Sequence, residues 1–96
     1  MRLTFHPRVQ RDLDEALEYY FGVREGLADD FWDEAMAAFD EIAKRPMRHH
    51  FDSCGMRRKN LQRFPYHVLY EILPGRVRIM VVRHDRRDPR FGLRRQ

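Results

Sequence analysis

Val9, Leu13, Ala16, Leu17 and Tyr20 recur three or four positions apart, the spacing of one face of an α-helix. A second stripe of that period runs through Ala28, Phe31, Trp32, Ala35, Phe39 and Ile42. Gly22 and Gly26 bracket the break between them, so the pattern predicts a helical hairpin with Trp32 and Phe39 in its core. Pro7 suits the first helical position, where its fixed φ fits and no N–H is needed. Pro46 ends the second helix. Asp29, Asp30, Asp33 and Glu34 near that helix's start, and Lys44 and Arg45 at its end, complement the helix dipole. Asp40/Lys44 and Glu41/Arg45 have the favourable i,i+4 order.

Ahead of the hairpin, Arg2-Leu3-Thr4-Phe5 reads as a short strand. Behind it the period changes to two. Met47 to Gly55 has no clear period and reads as a loop, whereas Met56–Phe64, Tyr66–Leu73 and Arg76–His84 read as strands, the last two joined by a Pro74-Gly75 turn. The order β-α-α-β-β-β predicts a two-layer α+β fold, a helical hairpin packed on a mostly antiparallel sheet, with residues 1–96 as a single domain. Alternation divides each strand into two rows. In the last strand Val77, Ile79, Val81 and Arg83 form one row, and Arg76, Arg78, Met80, Val82 and His84 the other. Arg57, Lys59, Leu61 and Arg63 form one row of the polar strand, with Arg58, Asn60, Gln62 and Phe64 opposite. Tyr66, Val68, Tyr70 and Ile72 form one row of the middle strand, with His67, Leu69, Glu71 and Leu73 opposite. Helices cover one face of a sheet, so the other is expected to be semi-exposed and rich in arginine, a surface able to hold a single nucleic-acid strand or simply to be solvated.

Charge sharpens this division. Up to Pro46 there are 6 Lys/Arg against 11 Asp/Glu; from Met47 onward there are 13 against 4, so a net +4 conceals a strongly cationic second half. All the cations but Lys44 and Lys59 are arginines, whose rigid fork of donors suits phosphate and carboxylate. The clustering points to an anionic partner. The single Cys54 has no partner for an internal disulfide, in keeping with a reducing cytosol. MRLTFHPRVQ has no apolar stretch of the signal-peptide kind, and no run approaches the ~20 apolar residues that cross a bilayer. The expectation is a cytoplasmic protein without a membrane partner.

Several segments together resemble the RelE/ParE superfamily of bacterial type II toxin–antitoxin toxins: a Pro-initiated first helix with Asp12-Leu13 and Tyr19-Tyr20, Phe64-Pro65-Tyr66-His67-Val68-Leu69-Tyr70, and His84-Asp85-Arg86-Arg87-Asp88-Pro89. The ending is closer to the ParE branch, with Phe91 where a Trp is common; His6 stands where Ser or Thr often precedes the proline. The resemblance implies a toxin restrained by a cognate acidic antitoxin encoded nearby. It also implies one of two mechanisms, inhibition of DNA gyrase by binding (ParE-like) or ribosome-dependent mRNA cleavage (RelE-like).

RNA cleavage by 2′-OH attack needs a base, an acid for the leaving group and a cation for the phosphorane. Arg63, Arg83 and His84 match positions where ribonuclease members carry such groups, and histidine titrates in the range that suits either proton role. The tail has no Tyr or Lys to assist, and His84 can equally be a structural residue of the tail turn. On the binding reading, Arg57, Lys59, Arg63, Tyr70, Arg83, Arg86, Arg87, Arg90, Phe91 and Arg94, with Arg95, engage target or antitoxin. A third reading is a non-catalytic nucleic-acid-binding module. His49-His50 lack a third ligand at zinc spacing, so no metal or other cofactor is expected. Cys54 reads as a loop thiol, and Asp88-Pro89 as a turn that aims the tail.

Overall fold

The computed structural model describes residues 1–96. The elements are β1 (Arg2–Phe5), α1 (Val9–Val23), α2 (Leu27–Lys44), β2 (Arg57–Asn60), β3 (Tyr66–Leu73) and β4 (Arg76–His84). The sheet order is β1-β4-β3-β2, with β2-β3-β4 an antiparallel meander and β1 added parallel to β4. The two helices pack over one face, which is the expected α+β arrangement.

Both apolar stripes face inward. Val9, Leu13, Ala16 and Tyr20 of α1 and Phe31, Ala35, Ala38, Phe39 and Ile42 of α2 are buried with Val68, Tyr70, Val77, Ile79 and Val82 of the sheet. Tyr20, Phe31, Phe64 and Tyr66 close one end as an aromatic cluster with centroids 4.9–6.1 Å apart. Trp32 departs from the expectation: it lies 100° around the helix from Phe31 and is 39% exposed, while Ala38 takes the inner place. The ion pairs Asp40–Lys44 and Glu41–Arg45 form as the spacing predicts.

Helix boundaries shift slightly. Pro7 is not the first helical residue but belongs to the turn before it, and Arg8 is the N-cap. The Nδ1 of His6 accepts the Arg8 N–H at 3.1 Å within the turn that precedes the helix, and no side chain caps the helix start. An acceptor ring must be neutral, and burial together with nearby Arg78, Arg95 and Arg8 holds the His6 pKa below its usual value. Gly22 lies inside α1; the break itself is made by Gly26, whose φ of +81° is in the left-handed region open to glycine.

The polar strand is shorter than its alternation implied. Pairing stops at Asn60, and residues 61–65 turn so that Leu61 and Phe64 both enter the core. The rows of β4 need a larger correction. Leu69 pairs with Val81, but the next residue, Tyr70, pairs with Ile79, so Met80 is an extra residue on β4. A bulge of this kind reverses the phase of every later side chain. Val77 and Ile79 therefore share the helix-facing core with Val82, whereas Val81 joins Leu69 and Met80 in a second small cluster on the opposite face.

That opposite face is not an open basic surface where Leu69 and Val81 lie. Phe91 of the C-terminal tail and Cys54 and Met56 of the preceding loop pack onto it. No helix is long and apolar enough to cross a membrane.

Candidate target-binding surface

The bulge puts Arg83 on the tail-covered face, directly opposite His67 on β3. Arg83 is 4% exposed, and a buried guanidinium needs acceptors for its donors. It has three: Nε donates to His67 Nε2 at 3.0 Å, and Nη1 donates to the carbonyls of Pro89 at 2.8 Å and Phe91 at 3.3 Å. Since His67 Nε2 accepts, its proton is on Nδ1, which donates to Asp85 Oδ1 at 2.8 Å. Burial lowers the His67 pKa most; the hydrogen bond to Asp85 opposes it, and Arg58 and Arg83 lower it further. Arg58 extends the network to Asp85 at 3.6 Å and Asp52 at 3.0 Å. Bonds from the Cys54 backbone and Arg58 draw Asp52 down to about 2 despite its burial.

These contacts fold residues 85–96 into an arc against the sheet. Gly92 adopts φ +83° with its Cα pressed to Val81, where an added Cβ would lie 2.6 Å from a Val81 methyl. Phe91 is half-buried, with the Arg87 guanidinium 4.0 Å and the Arg95 guanidinium 5.1 Å from its ring centroid. Asp88 Oδ1 accepts the Arg90 N–H and the carboxylate pairs with the Arg90 side chain, which together lower its pKa to about 2. The turn chemistry expected of Asp88-Pro89 is thus present. Arg86, Arg87, Arg90 and Arg94 are left exposed along the arc. Six of its residues, Arg87, Asp88, Arg90, Phe91, Leu93 and Arg94, line a shallow concavity of about 710 Å³.

The other sequence-selected residues lie elsewhere. Tyr70 is fully buried, its hydroxyl donating to the Pro46 carbonyl, so it supports the loop after α2 from inside and is not on a surface. Arg57 is half-buried, donates to the carbonyls of Met47 and His49 at 3.2 and 2.8 Å, and lies 4.2 Å over the Phe51 ring. Lys59 and Arg63 border a cleft of about 490 Å³ beside α2, whose other wall carries Asp30, Asp33, Glu34 and Glu41. There Arg63 pairs with Asp30 at 3.4 Å, and Glu34 Oε1 accepts the backbone N–H groups of Gln62 and Arg63. That cleft is acidic on one side, so it is not part of the basic tail surface.

Arg63, Arg83 and His84 do not converge. His84 and Arg83 border a cavity of only about 80 Å³, and Arg63 is not among its walls. His84 Nδ1 accepts the Arg86 N–H at 3.0 Å, and its ring stands edge-on to Tyr66 with centroids 5.0 Å apart. Pockets that bury a small ligand run to roughly 300–1,000 Å³.

Sequence reasoning missed two structural residues. One is His67: a histidine in a mostly apolar strand is a signal for a buried polar contact. The other is Asp12: Val9, Asp12, Leu13 and Ala16 share one helical face, and an acid on an apolar stripe calls for a buried cation. Arg95 supplies it, as a bidentate pair at 2.6 and 2.8 Å. Arg95 is therefore internal to the fold, unlike its neighbour Arg94.

The family model for the ParE toxin of the type II toxin–antitoxin system, parDE, matches residues 3–89. No curated protein matches the chain.

Proposed function

The chain belongs to the ParE toxin family of type II toxin–antitoxin systems, and from that premise we propose that it arrests growth in the cytoplasm by binding and inhibiting DNA gyrase, with the tail arginines as the contact. Membership implies a cognate antitoxin. The acidic antitoxin segment expected from the charge balance would dock on the same cations and fold there. One observation carries the reading: Arg86, Arg87, Arg90 and Arg94 are exposed on an arc whose backbone is held from beneath. A surface of this kind can bind without supplying acid, base or nucleophile.

The RelE-like alternative, mRNA cleavage by Arg63, Arg83 and His84, has less support. Arg83 has Nε engaged with His67 and Nη1 with two tail carbonyls, and the cavity at His84 is smaller than a nucleotide requires. The nucleic-acid-module reading shares the cations but predicts no growth arrest. A supercoiling assay with purified gyrase tests the proposal. Inhibition by micromolar wild-type protein, lost when Arg86, Arg90 and Arg94 are all alanine, is the expected result; no inhibition by wild type would overturn it.

A further inference from the structure

Asp12 and Arg95 are 83 positions apart and meet in the interior, with side chains 3% and 8% exposed. Arg95 Nη1 and Nη2 take one carboxylate oxygen each, at 2.6 and 2.8 Å, and Nη1 also donates to the Met80 carbonyl at 2.9 Å. Asp12 Oδ2 in addition accepts the Val82 N–H at 3.0 Å. The pair thus joins three separate pieces of chain: the first turns of α1, the β4 backbone on both sides of Val81, and the end of the tail. An exposed ion pair would do little. A buried bidentate pair fixes geometry, because moving the tail away leaves the Asp12 carboxylate without its cation on an otherwise apolar helix face.

Its place in the tail matters more than its strength. The arc is held at its middle by Arg83, through the carbonyls of Pro89 and Phe91, and at its far end by Arg95. Arg90 and Arg94 lie between or beside these anchors, and Arg78 Nη1 adds a contact to the Gln96 carbonyl at 2.9 Å. Without the end anchor, residues 92–96 would keep Gly92 against Val81, the Arg78 contact and two bonds within the tail itself (Leu93 N–H to Arg90 O and Arg95 N–H to Gly92 O), none of which ties them to α1.

We propose that the Asp12–Arg95 pair is the positioning device of the binding tail: it holds the exposed arginines in one arrangement before the target arrives, without touching the target. This rests on the tail being the target-binding element. A partner that needs the ordered arc sees only the ordered fraction of molecules, so loosening the arc weakens apparent affinity in proportion. Asp12 on α1 and Arg95 at the chain's end are then functional residues, although neither belongs to the exposed cation set.

The test uses the full chain as wild type, Arg95→Ala, the core variant Ile42→Val as a control for general loss of stability, and Arg86→Ala/Arg90→Ala/Arg94→Ala. Hydrogen exchange at residues 86–94, melting temperature and gyrase inhibition are measured for each, with growth arrest on induction as a parallel readout. Arg95→Ala is expected to speed exchange across 86–94 and to weaken inhibition by about tenfold or more. Ile42→Val is expected to melt earlier yet inhibit like wild type. Unchanged exchange in Arg95→Ala, full inhibition despite faster exchange, or an equal loss in Ile42→Val would each overturn the clasp as a positioning device. Should Arg95→Ala fail to fold, Asp12→Asn, which retains an acceptor for the Val82 N–H, takes its place with the same outcomes. A triple variant as potent as wild type would instead sink the tail as the binding element, while exchange in Arg95→Ala still judges whether the clasp orders the arc.

Discussion

Arg83 donates to His67 across 3.0 Å, so the imidazole of a buried histidine must remain neutral for a buried arginine to keep its place. The same arginine holds the Pro89 and Phe91 carbonyls, which makes the tail's middle anchor dependent on one proton. A second proton on His67 would turn its Nε2 from acceptor to donor, facing the Arg83 N–H.

This sets the direction of a pH effect. The His67 pKa is lowered from 6.5 by burial and by Arg58 and Arg83. Above about pH 6.5 the imidazole is neutral whether the chain is folded or not, and its contribution is complete. As the pH falls below that value the unfolded chain takes up a proton that the folded one refuses, so stability declines until the folded value is passed. His6 and His49, also lowered, act in the same direction. An NMR titration should give His67 a midpoint below 6.5, and a midpoint at or above it would contradict the network.

Gly92→Ala should damage the tail without touching an arginine. The substitution asks an L-residue to hold φ +83° and pushes a methyl into Val81. The left-handed conformation alone costs about 1–2 kcal/mol. Either the melting temperature falls or residues 90–96 detach and exchange faster; a variant unchanged in both would refute the close packing.

Phe31 and Trp32 are neighbours with opposite prospects. Phe31→Ala empties a fully buried site and should cost about 3–5 kcal/mol. Trp32→Ala, at a residue 39% exposed, should cost about 1 kcal/mol or less. Denaturant unfolding of the pair checks this, and equal losses would mean that Trp32 is covered in solution.

Tyr70→Phe removes the hydroxyl that meets the Pro46 carbonyl and nothing else. The expected cost is about 0.5–1.5 kcal/mol, with gyrase inhibition and antitoxin binding unaltered because the ring is internal. A loss of binding at unchanged stability would return Tyr70 to the recognition surface.

His84→Ala separates the two mechanisms. On the binding reading it removes the acceptor for the Arg86 N–H but leaves the Arg83 and Arg95 anchors of the tail, so growth arrest persists. Primer extension on mRNA from induced cells should then show no new 5′ ends within codons, from wild type or variant. New ends that vanish in His84→Ala would favour cleavage.

By itself the sequence determined whatever depends on neighbours a few positions apart. The two apolar stripes specified α1, α2 and their inward faces, because a 3.6-residue period is local; alternation and Pro74-Gly75 specified the hairpin of β3 and β4. Tertiary structure decided the rest. The bulge at Met80 reversed the phase of β4 after Ile79, which no alternation within β4 could disclose, since the extra residue is extra only relative to β3. It moved Arg83 off the row of Val77 and Ile79 to the opposite face, where a residue expected to meet a target is buried in a network. Contacts 70 to 83 positions apart likewise separated Arg95, held by Asp12, from Arg94, which is free. A run of arginines looks uniform in sequence because every guanidinium has the same charge and reach; which ones remain available depends on where the fold places a carboxylate or a carbonyl to receive them.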